Sequence, residues 1–300
     1  MKTTNGKIAA LLELLDDPNP EIVEKVWNEL SNEGETVLPF LEEVMHNQRT
    51  SIEVIELIQE LSNNIIWKTV CNGIKNWTAS SNKSLIDGLY WINKLQYPSL
   101  DLATMHSLFS DLKIEFWKNT DLKATAFEQI HTFNTLFYNT FRFSTLNKQP
   151  SSPHSLLIPS VLEERQGAPI SIGLIYSIIA QEINIPIYGV RFPINGFILA
   201  YLDSKNINSF LGELNENVFS GVLFYISVHQ KGRIMTSKHL INYLKTINQT
   251  ENQCYFEPAS NTDILKEYLT QLTISCLEKP AYAQKVNYFN ELLTILSSEK

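Results

Sequence analysis

The chain carries six histidines, three cysteines and 32 acidic side chains, and few of them stand at spacings that do chemistry. His46, His106, His131, His154, His229 and His239 lie on separate stretches with no His-x-x-x-His pair, and Cys71, Cys254 and Cys276 never form Cys-x-x-Cys. A protein-bound zinc draws convergent nitrogen and sulfur ligands, commonly supplied by such close pairs, so no metal and no other cofactor is expected. A nucleotide cradle would need Gly-x-Gly-x-x-Gly or Gly-x-x-x-x-Gly-Lys, whose glycines let backbone N–H groups approach phosphate. Neither occurs. Ser80-Ser-Asn-Lys83 fits the Ser-x-x-Lys pattern of acylated serine enzymes, but its companion motifs are missing and it reads as a loop before a helix. Glu163, Glu164 and Arg165 cluster ahead of an apolar stretch. One of them could orient a ligand at a helix mouth, yet exposed charges at element ends ordinarily form helix-end ion pairs, and that second reading is preferred.

Charge narrows the function further. The formal net charge is −8, and no face-wide stripe of Lys and Arg exists to neutralise phosphates, which argues against a nucleic-acid partner. The densest basic stretch, Lys231, Arg233 and Lys238, reads as a solvated face. Residues 168–180 are the longest nearly uncharged apolar run, well short of the roughly 20 residues of a membrane span, so no membrane partner is expected either. The first fifteen residues read as an amphipathic helix and not as a signal peptide. An odd number of scattered cysteines favours a reducing compartment, hence the cytoplasm.

The elements that must hold any site fall into two kinds. Over residues 7–138 apolar positions recur at helical spacing: Ile8, Leu11, Leu12 and Leu15; Ile22, Val23, Val26, Trp27 and Leu30; Val37, Leu38, Leu41, Val44 and Met45; then Ile52, Ile55, Ile58 and Leu61 within a helix over 51–67. Short helices joined by short turns resemble paired repeats of the HEAT type. Three more helices are predicted over 83–95, 100–117 and 122–137, with Trp91, Phe109, Phe116, Trp117, Phe127, Phe133 and Phe137 as core. Residues 147–159 hold three prolines and three serines and read as an extended loop. A helix from 167 to about 182 follows, apolar almost all round and therefore central. Strands are predicted over 185–192, 197–203, 221–228 and 233–236, the first two joined through Asn195-Gly196, a strong hairpin signal, with Asp203 serving the next turn. Ser237 is expected to cap a helix, and a last helix pair over 262–277 and 282–297 breaks at Pro280.

The run Glu163-Glu-Arg-Gln-Gly-Ala-Pro-Ile-Ser171, followed by Ile185-Pro-Ile-Tyr-Gly-Val-Arg-Phe-Pro193 and Phe197-Ile-Leu-Ala-Tyr201, resembles the SirB-type transglutaminase-like family. Its signature joins an Arg-x-Gly-x-Pro-Ile helix start to a Gly-Val…Pro-x-His-Phe hairpin. Tyr255-Phe-Glu-Pro-Ala-Ser-Asn261 and the final helix pair are similar to its closing, tetratricopeptide-like segment, so the likeness covers roughly 127–297. The wider superfamily transfers acyl groups with a Cys at a central helix start, a His on a neighbouring strand and an Asp or Asn on the next. Carried over by position, these places hold Ser171, Asn195 and Ser227. The hairpin reads Pro193-Ile-Asn-Gly-Phe197, one residue longer and without histidine, and the third strand reads Phe224-Tyr-Ile-Ser-Val-His-Gln230. A helix dipole worth about 1 kcal/mol does not ionise a serine hydroxyl, so Ser171 needs a base at hand. His229 is the one histidine near the place, as a displaced base, although a half-exposed strand-end histidine is the preferred reading.

The expected fold is therefore α+β and predominantly helical: a HEAT-like helical region over 1–122, a degenerate transglutaminase-like core with a small antiparallel sheet over 123–261, and a helix pair over 262–300. The expected function is a non-catalytic module that binds a protein or peptide partner, with Glu163, Arg165 and Tyr201 as candidate binding residues. The alternative is a hydrolase or acyltransferase of the same superfamily using Ser171.

Overall fold

Capping chemistry sets the helix boundaries of the N-terminal half. The structure is a computed structural model and describes residues 2–47, 50–146, 152–193, 196–202, 221–277, 279 and 282–298. Helix α1 spans Lys2–Glu13 and α2 spans Pro20–Glu33. Asn19 opens α2 by accepting a hydrogen bond from the Glu21 N–H at 3.0 Å, and Gly34 closes it at φ 68°. Such side chains satisfy N–H groups that the helix itself cannot. Helix α3 (Leu38–Met45) follows, and Ser51 caps α4 (Ile52–Ala79).

The pattern over 51–67 predicts only the first part of α4. The helix runs on because Gly73 lets the Trp91 ring of α5 (Leu85–Lys94) lie against its backbone, where a Cβ would sit 2.3 Å from ring atoms. Helix α6 (Leu102–Asn119) starts at Asp101, whose carboxylate accepts from the Thr104 N–H at 2.6 Å. Helix α7 (Ala126–Asn134) starts with a Thr125–Glu128 capping box. Instead of an α-helix to 137, the chain then passes into a π-helical turn, Thr135–Thr140, in which the Phe141 N–H reaches back to the Leu136 carbonyl at 2.8 Å. The wider turn buries two consecutive aromatics, Phe137 and Tyr138, which an α-helix would set about 100° apart. Phe109, Phe116, Phe133 and Phe137 are core as expected, whereas Trp117 and Phe127 are 64% and 59% exposed. Trp117 follows buried Phe116 by one residue and so turns off the buried face, and Phe127 lies stacked on Phe224 with ring centres 4.9 Å apart.

The second half is built around one helix. Strand β1 (Ser144–Thr145) pairs in parallel with β2 (Gln166–Gly167), with α8 (Ile158–Glu164) between them. Helix α9 (Pro169–Glu182) is buried at every position from Pro169 to Ala180. Beside it lies an antiparallel sheet in the order β3 (Ile187–Phe192), β4 (Gly196–Leu202), β5 (Val222–Ser227), β6 (Arg233–Met235). Side chains alternate across the sheet. Phe197, Leu199, Tyr201, Phe224 and Ile226 join the large core that includes α9. Ile198, Ala200 and Tyr225 join Leu240 and Leu244 of α10 (Ser237–Thr246) on the other face. The cap of α10 is Thr236, not Ser237; it shares a capping box with His239.

Helices α11 (Asn261–Cys276) and α12 (Ala283–Ser297) close the chain, and Tyr288 of α12 stacks on Trp67 of α4 at 4.4 Å. A large core draws on buried apolar residues between Ile66 and Leu296, those from Ile8 to Ile65 form a second, and the cluster between the sheet and α10 is a third. Asn195, Asp203 and Pro280 lie outside the described residues. Among the described residues no helix is long and apolar enough to cross a membrane.

Candidate functional site

Pro169 and Ile170 start α9 and place Ser171 in its first turn. The Ser171 side chain is fully buried, and its Oγ donates to the Leu156 carbonyl at 2.7 Å. The same carbonyl accepts from the Tyr268 hydroxyl at 3.0 Å. Asn93 completes the cluster: its Nδ2 donates to the Leu89 carbonyl at 2.8 Å, and its Oδ1 accepts from the Ile158 N–H at 3.0 Å. These bonds tie α5, α9, α11 and the entry to α8 together. Among the described residues, no imidazole is a partner of the Ser171 hydroxyl.

The alternation of β5 separates the other carried-over positions from Ser171. Phe224 and Ile226 face α9, and Val228 continues that face: a Cβ on Gly173 of α9 would lie 3.2 Å from it. Ser227 is thereby turned to the α10 side, where its Oγ accepts from the Gln230 N–H at 3.3 Å and shapes the hairpin turn. His229, beyond the strand end, is exposed, and partial desolvation holds its pKa below the usual 6.5. Tyr201 faces inward, 7% exposed, and donates to Gln129 Oε1 of α7 at 2.8 Å while lying 5.0 Å from the Phe224 ring. It ties the sheet to α7.

The charge cluster before α9 divides three ways. Glu163 is exposed. Glu164 pairs with His154 at 2.9 Å. Arg165 takes a left-handed backbone at φ 59° and lays its guanidinium over the rings of Phe143 at 4.8 Å and Phe141 at 5.9 Å. Burial lowers its pKa, and its Nη1 is buried without a hydrogen-bond partner.

Sequence spacing missed a hydroxyl–imidazole–carboxylate chain here. Ser160 Oγ meets His154 Nδ1 at 3.0 Å, and His154 Nε2 meets Glu164 Oε1 at 2.9 Å. Three such groups in line can activate a serine. Ser160, however, is 3% exposed and also hydrogen-bonded to the Tyr97 hydroxyl, so the chain ends inside the protein. His154 precedes α8 in a Pro- and Ser-rich stretch, and no local motif announces its partners.

A groove of about 790 Å³ opens between the π-helical turn and the β5–β6 hairpin. Asn134 and Tyr138 line it from one side, Lys231, Gly232 and Arg233 from the other, and Phe127 of α7 adds an aromatic ring to the lining. Its walls are clamped by Asn134, whose Nδ2 donates to the Gly232 carbonyl at 2.9 Å and whose Oδ1 accepts from the Tyr176 hydroxyl at 2.9 Å. Only glycine fits at 232, where φ is 78° and a Cβ would fall 1.9 Å from Asn134 Oδ1. The π-turn was the signal sequence reading lacked; the run of Phe133, Phe137, Tyr138, Phe141 and Phe143 follows no single α-helical stripe. Among the described residues no group of three or more His, Cys, Asp or Glu side chains converges as metal ligands would.

A buried helix start facing an antiparallel sheet, with the helix lying across one face of the strands, is the arrangement of transglutaminase-like domains. Residues 103–270 match the profile of the transglutaminase-like superfamily, more than half of the chain, and the chain belongs to that superfamily. Among its relatives, a UPF0162 protein of Haemophilus influenzae is 24% identical over 160 residues, covering 51% of this chain and 59% of the relative. A UPF0162 protein of Buchnera aphidicola subsp. Schizaphis graminum is 28% identical over 163 residues, covering 53% and 54%. One from Pseudomonas aeruginosa is 46% identical over a short stretch of 44 residues, 15% of this chain and 16% of the relative. The chain spans about half the length of the curated relatives it matches, and their names state no activity. No solved structure matches the chain.

Proposed function

We propose that this chain is a non-catalytic, SirB-type transglutaminase-like protein that serves as a protein- or peptide-binding module in the cytoplasm. The observation that carries the reading is the state of Ser171: the side chain at the nucleophile position is fully buried and its proton is given to a backbone carbonyl. A nucleophile must present its oxygen to substrate and its proton to a base. Ser171 does neither. The hairpin that would bring a histidine reads Pro193-Ile-Asn-Gly-Phe197, and the alternation of β5 supports an outward course for Ser227 and His229. Binding then falls to surfaces: HEAT-like helices of the N-terminal half, the helix-mouth residues Glu163 and Arg165, or a groove braced by Tyr201.

The competing reading is a hydrolase or acyltransferase working through Ser171. A fluorophosphonate probe, which traps activated serines, separates the two when the intact protein is weighed after incubation. No adduct is expected under conditions that label a serine hydrolase to completion. A stoichiometric adduct mapped to Ser171, or to Ser160 in its chain with His154 and Glu164, would overturn the non-catalytic reading.

A further inference from the structure

We infer that the groove between the π-helical turn and the β5–β6 hairpin receives an acidic peptide segment, a carboxylate meeting Lys231 and Arg233 at the rim with Tyr138 at the floor. The inference rests on the reading of the chain as a binding module and names the site and the chemistry of its ligand. Three observations converge on it.

The first is an unanswered polar group. Tyr138 lines the groove, is 8% exposed, and its hydroxyl has no hydrogen-bond partner. A buried hydroxyl left unpaired is destabilising, and such groups in native proteins are few. Two nearby polar groups are engaged elsewhere: the Tyr176 hydroxyl donates to Asn134 Oδ1, and Asn134 Nδ2 donates to the Gly232 carbonyl. Burial keeps the Tyr138 hydroxyl protonated far above neutral pH, so it stands as a donor to an acceptor ligand.

The second is charge. The protein as a whole is acidic at −8, yet the groove is rimmed by exposed Lys231 and Arg233, and His131 shares the lining. Lys231 stands on a left-handed backbone, φ 48°, in a turn whose next residue must be glycine. Glu128 is the opposing charge in the lining; its Oε2 accepts from Thr125 N–H at 2.9 Å and Thr125 Oγ1 at 2.7 Å at the helix cap. Ammonium and guanidinium groups bind carboxylates through charge-assisted hydrogen bonds, and local potential of opposite sign to the rest of the surface selects such partners.

The third is size and shape. A groove of about 790 Å³ is far larger than a single small anion needs and lies within the range of organic-ligand sites. Phe127, 59% exposed and stacked on Phe224, offers an apolar shelf for an aliphatic or aromatic neighbour of the carboxylate. Tyr201 braces that shelf through Phe224 and Gln129. The π-turn that aligns Tyr138 with the groove is a form of helix that recurs at functional sites.

Calorimetric titration of the full chain with pentaglutamate, pentaglutamine and inorganic phosphate at low salt tests the assignment. Pentaglutamate is expected to bind, pentaglutamine not, and phosphate not to displace the peptide. Lys231→Gln with Arg233→Gln should weaken pentaglutamate about tenfold or more, because two charge-assisted hydrogen bonds to its carboxylates disappear. Tyr138→Phe should weaken it about threefold while leaving the thermal midpoint equal or higher, because the hydroxyl removed has no partner in the free protein. Absent binding, equal binding of pentaglutamine, displacement by phosphate, or full affinity in the doubly neutralised surface variant would each overturn the inference. Cleavage of the peptide, seen by mass spectrometry, would instead overturn the non-catalytic reading and leave the groove standing.

Discussion

Replacing Ser171 by Ala distinguishes a structural serine from a catalytic one, and the hydrogen-bond geometry sets the size of the effect. The Ser171 hydroxyl contributes one bond of 2.7 Å to the Leu156 carbonyl, and Tyr268 contributes a second of 3.0 Å to the same oxygen. Removing either donor alone leaves that carbonyl satisfied. Each single variant, Ser171→Ala and Tyr268→Phe, should therefore cost about 1 kcal/mol, the net worth of an ordinary hydrogen bond. Removing both leaves a buried carbonyl orphaned, which adds a desolvation penalty of about 1–3 kcal/mol. The double variant is then more damaging than the sum of the singles, a coupling characteristic of residues that share a partner. Urea denaturation of the four proteins, followed by circular dichroism, measures the cycle, and in a chain of this size 1 kcal/mol corresponds to about 2 °C in thermal midpoint. Strict additivity, or a Ser171→Ala variant with wild-type stability, would refute the assignment of Ser171 as a fold-pinning residue.

Two further outcomes follow from the same geometry. Gly173→Ala places a Cβ 2.4 Å from Phe197 Cδ1 and should destabilise by about 1–3 kcal/mol through overpacking of the helix against β4; a wild-type urea midpoint would show that the sheet can withdraw from α9. His229 has a folded-state pKa below its ordinary 6.5 because partial desolvation disfavours the imidazolium, so the folded protein binds fewer protons than the unfolded chain. Its contribution to stability is present above pH 6.5 and is lost as pH falls toward the lower folded-state value. An NMR titration of the imidazole should place its midpoint below 6.5, and His229→Gln should flatten the acid side of the stability profile; a midpoint at or above 6.5 contradicts the desolvation.

How much was legible in advance differs between fold and site, and the reason is range. Helical periodicity, Gly34, Pro20 and the serine and threonine caps are local signals, acting within a turn or two of where they stand in the sequence. Apolar periodicity located most helices and the all-apolar α9, β-rich runs located the four strands of the sheet, and the motif before Ser171 indicated the superfamily, whereas the one cap predicted, Ser237, fell a residue late. Where a neighbour distant in sequence intervenes, local reading stopped short: α4 continues past 67 because Trp91 of another helix packs onto Gly73. The π-turn likewise depends on what Phe137 and Tyr138 pack against, and both lie in an aromatic cluster with Tyr176 of α9.

Side-chain chemistry was less legible still. The sequence supplied the motif by which Ser171, Asn195 and Ser227 were carried over to the superfamily's catalytic positions, and a hairpin segment, Pro193-Ile-Asn-Gly-Phe197, without histidine. Tertiary structure alone decided that Ser171 spends its proton on Leu156, that β5 turns Ser227 away from it, and that a turn with Lys231 and Arg233 comes to rest opposite Tyr138. Hydrogen bonds and grooves join residues separated by tens of positions or more, such as Asn134 and Gly232, and no periodicity in a linear chain encodes which of them will meet.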